Sequence, residues 1–152
     1  MRLFAMGTLN TPREVLMPTV ESVSVHEIPV LNPSEPGEAE WKPVRHHFGI
    51  ASFGANAYVA REAGEAVVGE HTEVDDSGTE HEELYFVASG RATFSVADEA
   101  VDAPAGTFVY VRDPRAVRSA VAQEPGTIVV AVGGTPGQPF SVSPWERKYT
   151  GD

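Results

Sequence analysis

From Phe48 onward the chain is a run of short segments rich in β-branched and aromatic residues, each closed by glycine or proline. No window sustains a period of 3.6. A chain punctuated this often cannot build long helices, so it must bury its apolar side chains by pairing strands. The expected strands cover residues 49–60, 66–74, 82–88, 91–96, 107–111 and 127–132. Ser89-Gly90 reads as a tight hairpin between two of them, and Ala97-Asp98-Glu99-Ala100 as another. Ala103-Pro104-Ala105-Gly106 and Glu124-Pro125-Gly126 mark further turns. Short strands at regular spacing predict an all-β, antiparallel sandwich or barrel.

Residues 1–45 read differently. They carry Pro12, Pro18, Pro29, Pro33, Pro36 and Pro43, and only 20–28 has the look of a short strand. This stretch is expected to be an N-terminal arm over the domain or over a partner subunit, with a mobile tail as the alternative. One helical turn is expected at 13–17 or 143–148. The organisation is therefore an arm (1–45), a barrel (46–140) and a tail (141–152), with Trp41 and Trp145 packing arm and tail onto the barrel. A length of 152 residues suits one domain.

The 22 acids against 11 Lys and Arg give a net charge of −11. Such a chain lacks the basic footprint that nucleic acid or an anionic membrane surface requires. There is no cysteine, which excludes disulfides, thiolate metal sites and cysteine nucleophiles. No apolar run is long enough for a membrane span or a secretory signal, so a soluble cytoplasmic protein is expected. Acids crowd residues 62–83 without a single Lys or Arg. Such a run is either a solvated loop or a set of oxygens facing a cation.

The segment His81-Glu82-Glu83-Leu84-Tyr85-Phe86-Val87-Ala88-Ser89-Gly90 carries the most chemistry. Residues at i and i+2 of a strand leave the same face. His81, Glu83, Tyr85 and Val87 thus share one side, which opens with an imidazole and a carboxylate. That pair can bind a divalent metal, move protons, or bond internally. His46 and His47, as neighbours in an extended chain, point to opposite faces and cannot chelate together. No nucleophile signature, phosphate loop or dinucleotide fingerprint is present.

Two runs resemble the cupins. Glu83 followed by six residues and Gly90 is similar to the end of the first cupin motif, in which a glutamate ligand precedes a strand, a turn and a glycine. Val101-Asp102-Ala103-Pro104-Ala105-Gly106-Thr107-Phe108-Val109-Tyr110-Val111 resembles the opening of the second. The resemblance covers roughly Phe48 to Gly134 and implies a double-stranded β-helix, or jelly-roll, barrel. The chain departs from the family pattern in two places. His71-Thr72-Glu73 stands where the first motif has two histidines, and the loop 74–80 then intervenes before His81. Counting from Gly106 puts Val117 at the histidine position of the second motif, amid Arg112, Arg115 and Arg118.

Histidine nitrogen with carboxylate oxygen suits Fe, Mn, Ni or Zn. His71, His81 and Glu83 form the expected metal set, with Glu73 as a fourth ligand. The alternatives are an imidazole bonded to Glu83 for His81 and a surface histidine among acids for His71. Arg118, next to the missing histidine, is the candidate to hold a ligand carboxylate or to pair with Glu83. Its alternative is a solvent-facing cation. Tyr85 and Tyr110 are candidates to offer hydroxyls to a ligand from the barrel interior, or else are core residues. The expected function is binding of a small molecule in the barrel mouth. An enzyme of this kind would be a metal-dependent dioxygenase, isomerase or decarboxylase; the alternative is a metal-free ligand-binding or regulatory protein. The resemblance further implies a homodimer.

Overall fold

A computed structural model describes residues 19–32 and 34–152. Its strands are β1 (Glu40–Lys42), β2 (Gly54–Val59), β3 (Ala66–His71), β4 (Glu82–Ser89), β5 (Arg91–Val96), β6 (Glu99–Pro104), β7 (Phe108–Val111), β8 (Arg118–Ala122) and β9 (Ile128–Gly134). Two short helices join them, α1 (Val44–Phe48) and α2 (Pro144–Thr150). No helix among the described residues is long and apolar enough to cross a membrane.

The strands form two antiparallel sheets. One has the order β1-β2-β9-β4-β7 and the other β3-β8-β5-β6. Alternation along each strand sends one set of side chains between the sheets. On β4 these are Glu83, Tyr85 and Val87, as the sequence pattern predicts. Tyr85, Val87, Phe94, Val67 and Val129 meet there almost without solvent contact. Tyr85 and Phe94 pack with ring centroids 5.3 Å apart.

Ser89-Gly90 is not a hairpin. Its flanking strands, β4 and β5, belong to different sheets, so these residues turn a corner between the two layers. Gly90 takes φ +70°, and a Cβ there would lie 2.4 Å from Thr127 Oγ1 and 2.9 Å from Thr127 Cα. Thr127 is fully buried, and its hydroxyl donates to the Glu124 carbonyl at 2.7 Å. The true two-residue hairpin is Ala97-Asp98, where Val96 pairs with Glu99.

The stretch 20–28 is not a strand either. Val25–Glu27 is a 3-10 turn, because Ser24 and Glu27 form a reciprocal cap. Ile28 anchors it, buried, with its carbonyl accepting from Lys42 Nζ at 3.1 Å. His46 and His47 lie in α1 rather than in a strand. The candidate turn at 13–17 lies outside the described residues. The one at 143–148 is realised as α2, where the Ser143 hydroxyl caps the Glu146 N–H.

Parts of the expected arm and tail meet directly. Glu40–Lys42 is an edge strand of the larger sheet, and Trp41 stacks edge-on against Trp145 with centroids 4.6 Å apart. Beside them, Arg45 Nε donates to Glu146 Oε1 at 2.7 Å, and Arg45 also pairs with Asp152. The Arg45 and Glu146 side chains are only 7% and 6% exposed.

Two predictions follow from this packing. Gly106 also has positive φ, but nothing lies within 4 Å of where its Cβ would be. Gly106→Ala should therefore cost only backbone strain, about 1 kcal/mol. Gly90→Ala should cost roughly 2 kcal/mol more, since its Cβ meets a buried backbone. Denaturant midpoints compare the two, and equal losses would mean the corner is loosely packed. Glu146→Ala leaves Arg45 buried with a poorer partner, at a cost of about 3 kcal/mol. It should also red-shift tryptophan emission as Trp145 loosens; an unchanged midpoint and spectrum would show that the ion pair does not hold the tail.

Candidate metal centre in the barrel

A cavity of about 600 Å³ opens between the sheets. His71, Glu73, His81, Glu83 and Tyr85 line it, together with Trp41, Asn56, Tyr58 and residues of the tail from Phe140 to Glu146. Asn56 and Tyr58 escape sequence reasoning, although their alternation with the buried Ala55 and Ala57 along β2 is a legible signal.

His71 reaches the interior through irregular pairing. The β3–β8 register shifts between Ala66 and Val68 and again between Val68 and His71, so strict alternation fails and His71 turns inward opposite Arg118. Its Nδ1 donates to the Gly69 carbonyl at 2.7 Å. Its Nε2 then meets Glu73 Oε1 at 2.8 Å and Glu83 Oε2 at 3.6 Å.

Glu73 is fixed by its backbone: its N–H donates to the Pro114 carbonyl and its carbonyl accepts from His81 N–H, both at 2.9 Å. The loop 74–80, which on sequence separates the ligands, is a closed hairpin with Val74 bridged to Glu80. The Asp75 carboxylate ties it by accepting from Ser77 N–H and Thr79 N–H, both at 2.9 Å. The Ser77 hydroxyl, donating to the same oxygen at 2.6 Å, and these backbone bonds hold the Asp75 carboxyl below its usual range. The insertion thus returns His81 beside Glu73, with Nδ1 3.5 Å from Glu73 Oε2.

One nitrogen of His71 and one oxygen each of Glu73 and Glu83 lie within 4.8 Å of one another. His81 stands outside that set, and its buried Nε2 has no partner among the described residues. Burial disfavours charge on His71, yet its hydrogen bonds to Glu73 and Glu83 outweigh this and push it up to about 10. Burial opposes ionisation of Glu73 as well, but the bonds from His71 and Glu83 bring it below its usual range. Glu83 goes the other way, raised by burial and by the nearby Glu73 charge. The Tyr85 hydroxyl donates to Glu83 Oε2, and burial raises its own pKa strongly. A proton on His71 therefore separates two carboxylates that would otherwise repel.

The remaining expected residues fall elsewhere. Tyr110 is on the outer face, paired with Leu84 and 43% exposed, with its hydroxyl donating to Glu82 Oε1 at 3.2 Å. Its neighbours Val109 and Val111 take the inward positions, so it cannot reach a ligand in the barrel. Val117 is exposed, and Arg118 is the residue that turns inward. A turn closed by Ala116 N–H to the Asp113 carbonyl at 3.1 Å leads into β8. Arg118 is 1% exposed and does not line the cavity, so it neither faces solvent nor directly grips a molecule held there.

No family profile matches the sequence, and no curated protein does. Solved structures do. The chain is similar to a cupin protein from Bacteroides fragilis, with TM-score 0.56 and 14% identity over 84% of this chain and 93% of that one. It is similar to an uncharacterized conserved protein with a double-stranded β-helix domain from Klebsiella pneumoniae, with TM-score 0.56 and 19% identity over 81% and 99% of the two chains. It is also similar to KdgF from Halomonas sp., with TM-score 0.53 and 20% identity over 70% and 86%. The two sheets, their order and these likenesses agree: the chain has the cupin fold, a double-stranded β-helix.

Proposed function

We propose that this chain binds one divalent metal through His71, Glu73 and Glu83 and uses it to hold a small organic molecule in the barrel cavity. The observation that carries this reading is the convergence of one imidazole nitrogen and two carboxylate oxygens within 4.8 Å at the cavity wall. The donor set fits the group. Mixed nitrogen and oxygen ligands suit Mn, Fe, Ni or Zn. A histidine whose Nδ1–H is held by a carbonyl presents its other nitrogen in a fixed direction, as ligating histidines do. When bound, the metal would supply Lewis acidity to an oxygen of the ligand.

The chain's own residues supply the rest. Tyr85 steadies Glu83 through its hydroxyl. Trp41, Tyr58, Phe140 and Trp145 give the cavity aromatic walls that exclude water and pack a flat, apolar body. His81, beside Glu73, orients that carboxylate from its outer side. A second reading has a specific observation behind it. His71–Glu73 and Tyr85–Glu83 already satisfy one another without a metal, so the cluster also suits a metal-free ligand-binding floor.

Metal analysis separates the two. Protein purified without a histidine tag should take up roughly one Mn, Ni or Zn per chain. Glu83→Gln and His71→Ala should each lower that to under about a tenth. At a concentration a hundred times Kd, the metal should stabilise the fold by about 2.7 kcal/mol. Absence of uptake and of any thermal shift would leave the metal-free reading.

The pH dependence has a defined sign. A metal and a proton compete for His71 Nε2, and His71 holds its proton up to about pH 10. Affinity should therefore fall as pH falls, by about tenfold per unit below that value. Each metal bound at pH 7 should release at least one proton, read by calorimetry in buffers of different ionisation enthalpy. Binding without proton release would mean that His71 is not a ligand.

A further inference from the structure

Arg118 is the largest charged side chain buried in the barrel, and the metal set does not use it. It is 1% exposed. Its Nη2 donates to the Asp113 carbonyl at 2.9 Å, a neutral partner. Its Nε and Nη1 have no partner among the described residues. Its strand position places it opposite His71, on the inward face of β8. An ionised guanidinium enclosed this way and not matched by a carboxylate is costly unless something supplies negative charge.

Charge counting says what that something is. This step rests on the reading of the site as a metal centre. Glu73 and Glu83, both ionised as ligands, cancel a divalent cation, and His71 ligates as a neutral imidazole. Arg118 then leaves the barrel with one uncompensated positive charge. In a low-dielectric interior that excess favours an anion over a neutral molecule of the same shape without requiring contact with the guanidinium. We infer that the ligand is a small monoanionic carboxylate whose flat apolar body packs on the aromatic cavity wall, and that Arg118 sets this preference as a positioning charge. The wall is consistent in shape, with Trp41, Tyr58, Phe140 and Trp145 lining the cavity. The other acids that line the cavity do not cancel this charge inside the barrel: Glu146 is paired with Arg45, and Glu38, Glu70 and Asp75 are exposed at the mouth, where water screens them.

The test compares benzoate with benzamide, which share a shape and differ in charge, on metal-loaded protein by calorimetry. Chloride serves as a third arm, to separate a carboxylate site from a site for any small anion. A metal prefers a carboxylate in any case, so the informative quantity is the change in the benzoate-to-benzamide ratio on removing the Arg118 charge. Arg118→Gln should lower that ratio about tenfold with metal content unchanged, and Arg118→Lys should preserve most of it. Arg118→Met, similar in length, replaces Gln if that variant does not fold. An unchanged ratio in Arg118→Gln or Arg118→Met overturns the inference. So does equal loss in Arg118→Lys, which would point to packing rather than charge, and so does chloride competing as well as benzoate. If the wild-type protein takes up no metal, the reading of the metal centre fails instead, and the same ratio on metal-free protein decides the role of Arg118.

Discussion

Two carboxylates inside a barrel repel each other, and the local geometry is what lets Glu73 and Glu83 stay together. Each is tied to a different part of the fold: Glu83 to the inner face of β4, Glu73 to a backbone pair between Pro114 and His81. Neither can move apart without breaking a strand pairing or releasing the 74–80 hairpin. His71 sits between them, 2.8 Å from Glu73 and 3.6 Å from Glu83, and as an imidazolium it places a positive charge at that point, while burial and Glu73 favour the neutral form of Glu83. A metal would exchange one cation for another at the same place. In the proposed metal-bound state, a divalent ion would stand where the proton stands now, between the same two carboxylates.

Much of the fold is legible because the central strands obey simple alternation. Glu82–Ser89, Arg91–Val96 and Ile128–Gly134 each carry enough β-branched and aromatic residues to stand out. Three strands do not. Glu99–Pro104 alternates small residues with acids, and Arg118–Ala122 opens with a buried arginine where an apolar residue would mark a strand. Glu40–Lys42 is three residues long and lies among prolines. Ser89-Gly90 shows a different limit. A glycine with positive φ signals a tight reversal, but whether the chain pairs back or crosses to another sheet depends on Thr127, 37 residues later.

The site follows the same pattern. Glu83 and Tyr85 are legible from strand alternation alone. His71 and Glu73 are legible as residue types, while their convergence depends on a register shift that no local pattern encodes. His81 looks like the natural partner of Glu83 at a spacing of two, yet it sits just before the strand begins and leans toward Glu73 instead. Tyr110 and Val117 are errors of one residue in phase, and in a strand one residue exchanges inside for outside.

The cavity itself depends on residues far from the ligand set. Gly54 on β2 lacks a side chain, and the Phe140 ring takes the space, where a Cβ would lie 3.0 Å from its Cε2. Phe140 leads into the segment that α2 and the Arg45–Glu146 pair hold in place. Trp41 connects the two ends of this arrangement, donating from Nε1 to Asn56 Oδ1 at 2.9 Å while stacking on Trp145. The ligand set thus comes from β3, β4 and the turn after β3, whereas of the aromatic wall only Tyr58 sits on a central strand, and Trp41, Phe140 and Trp145 come from the segments that flank the central strands. On the proposed function, substitutions in the tail would alter selectivity for the body of a ligand while leaving affinity for its head intact.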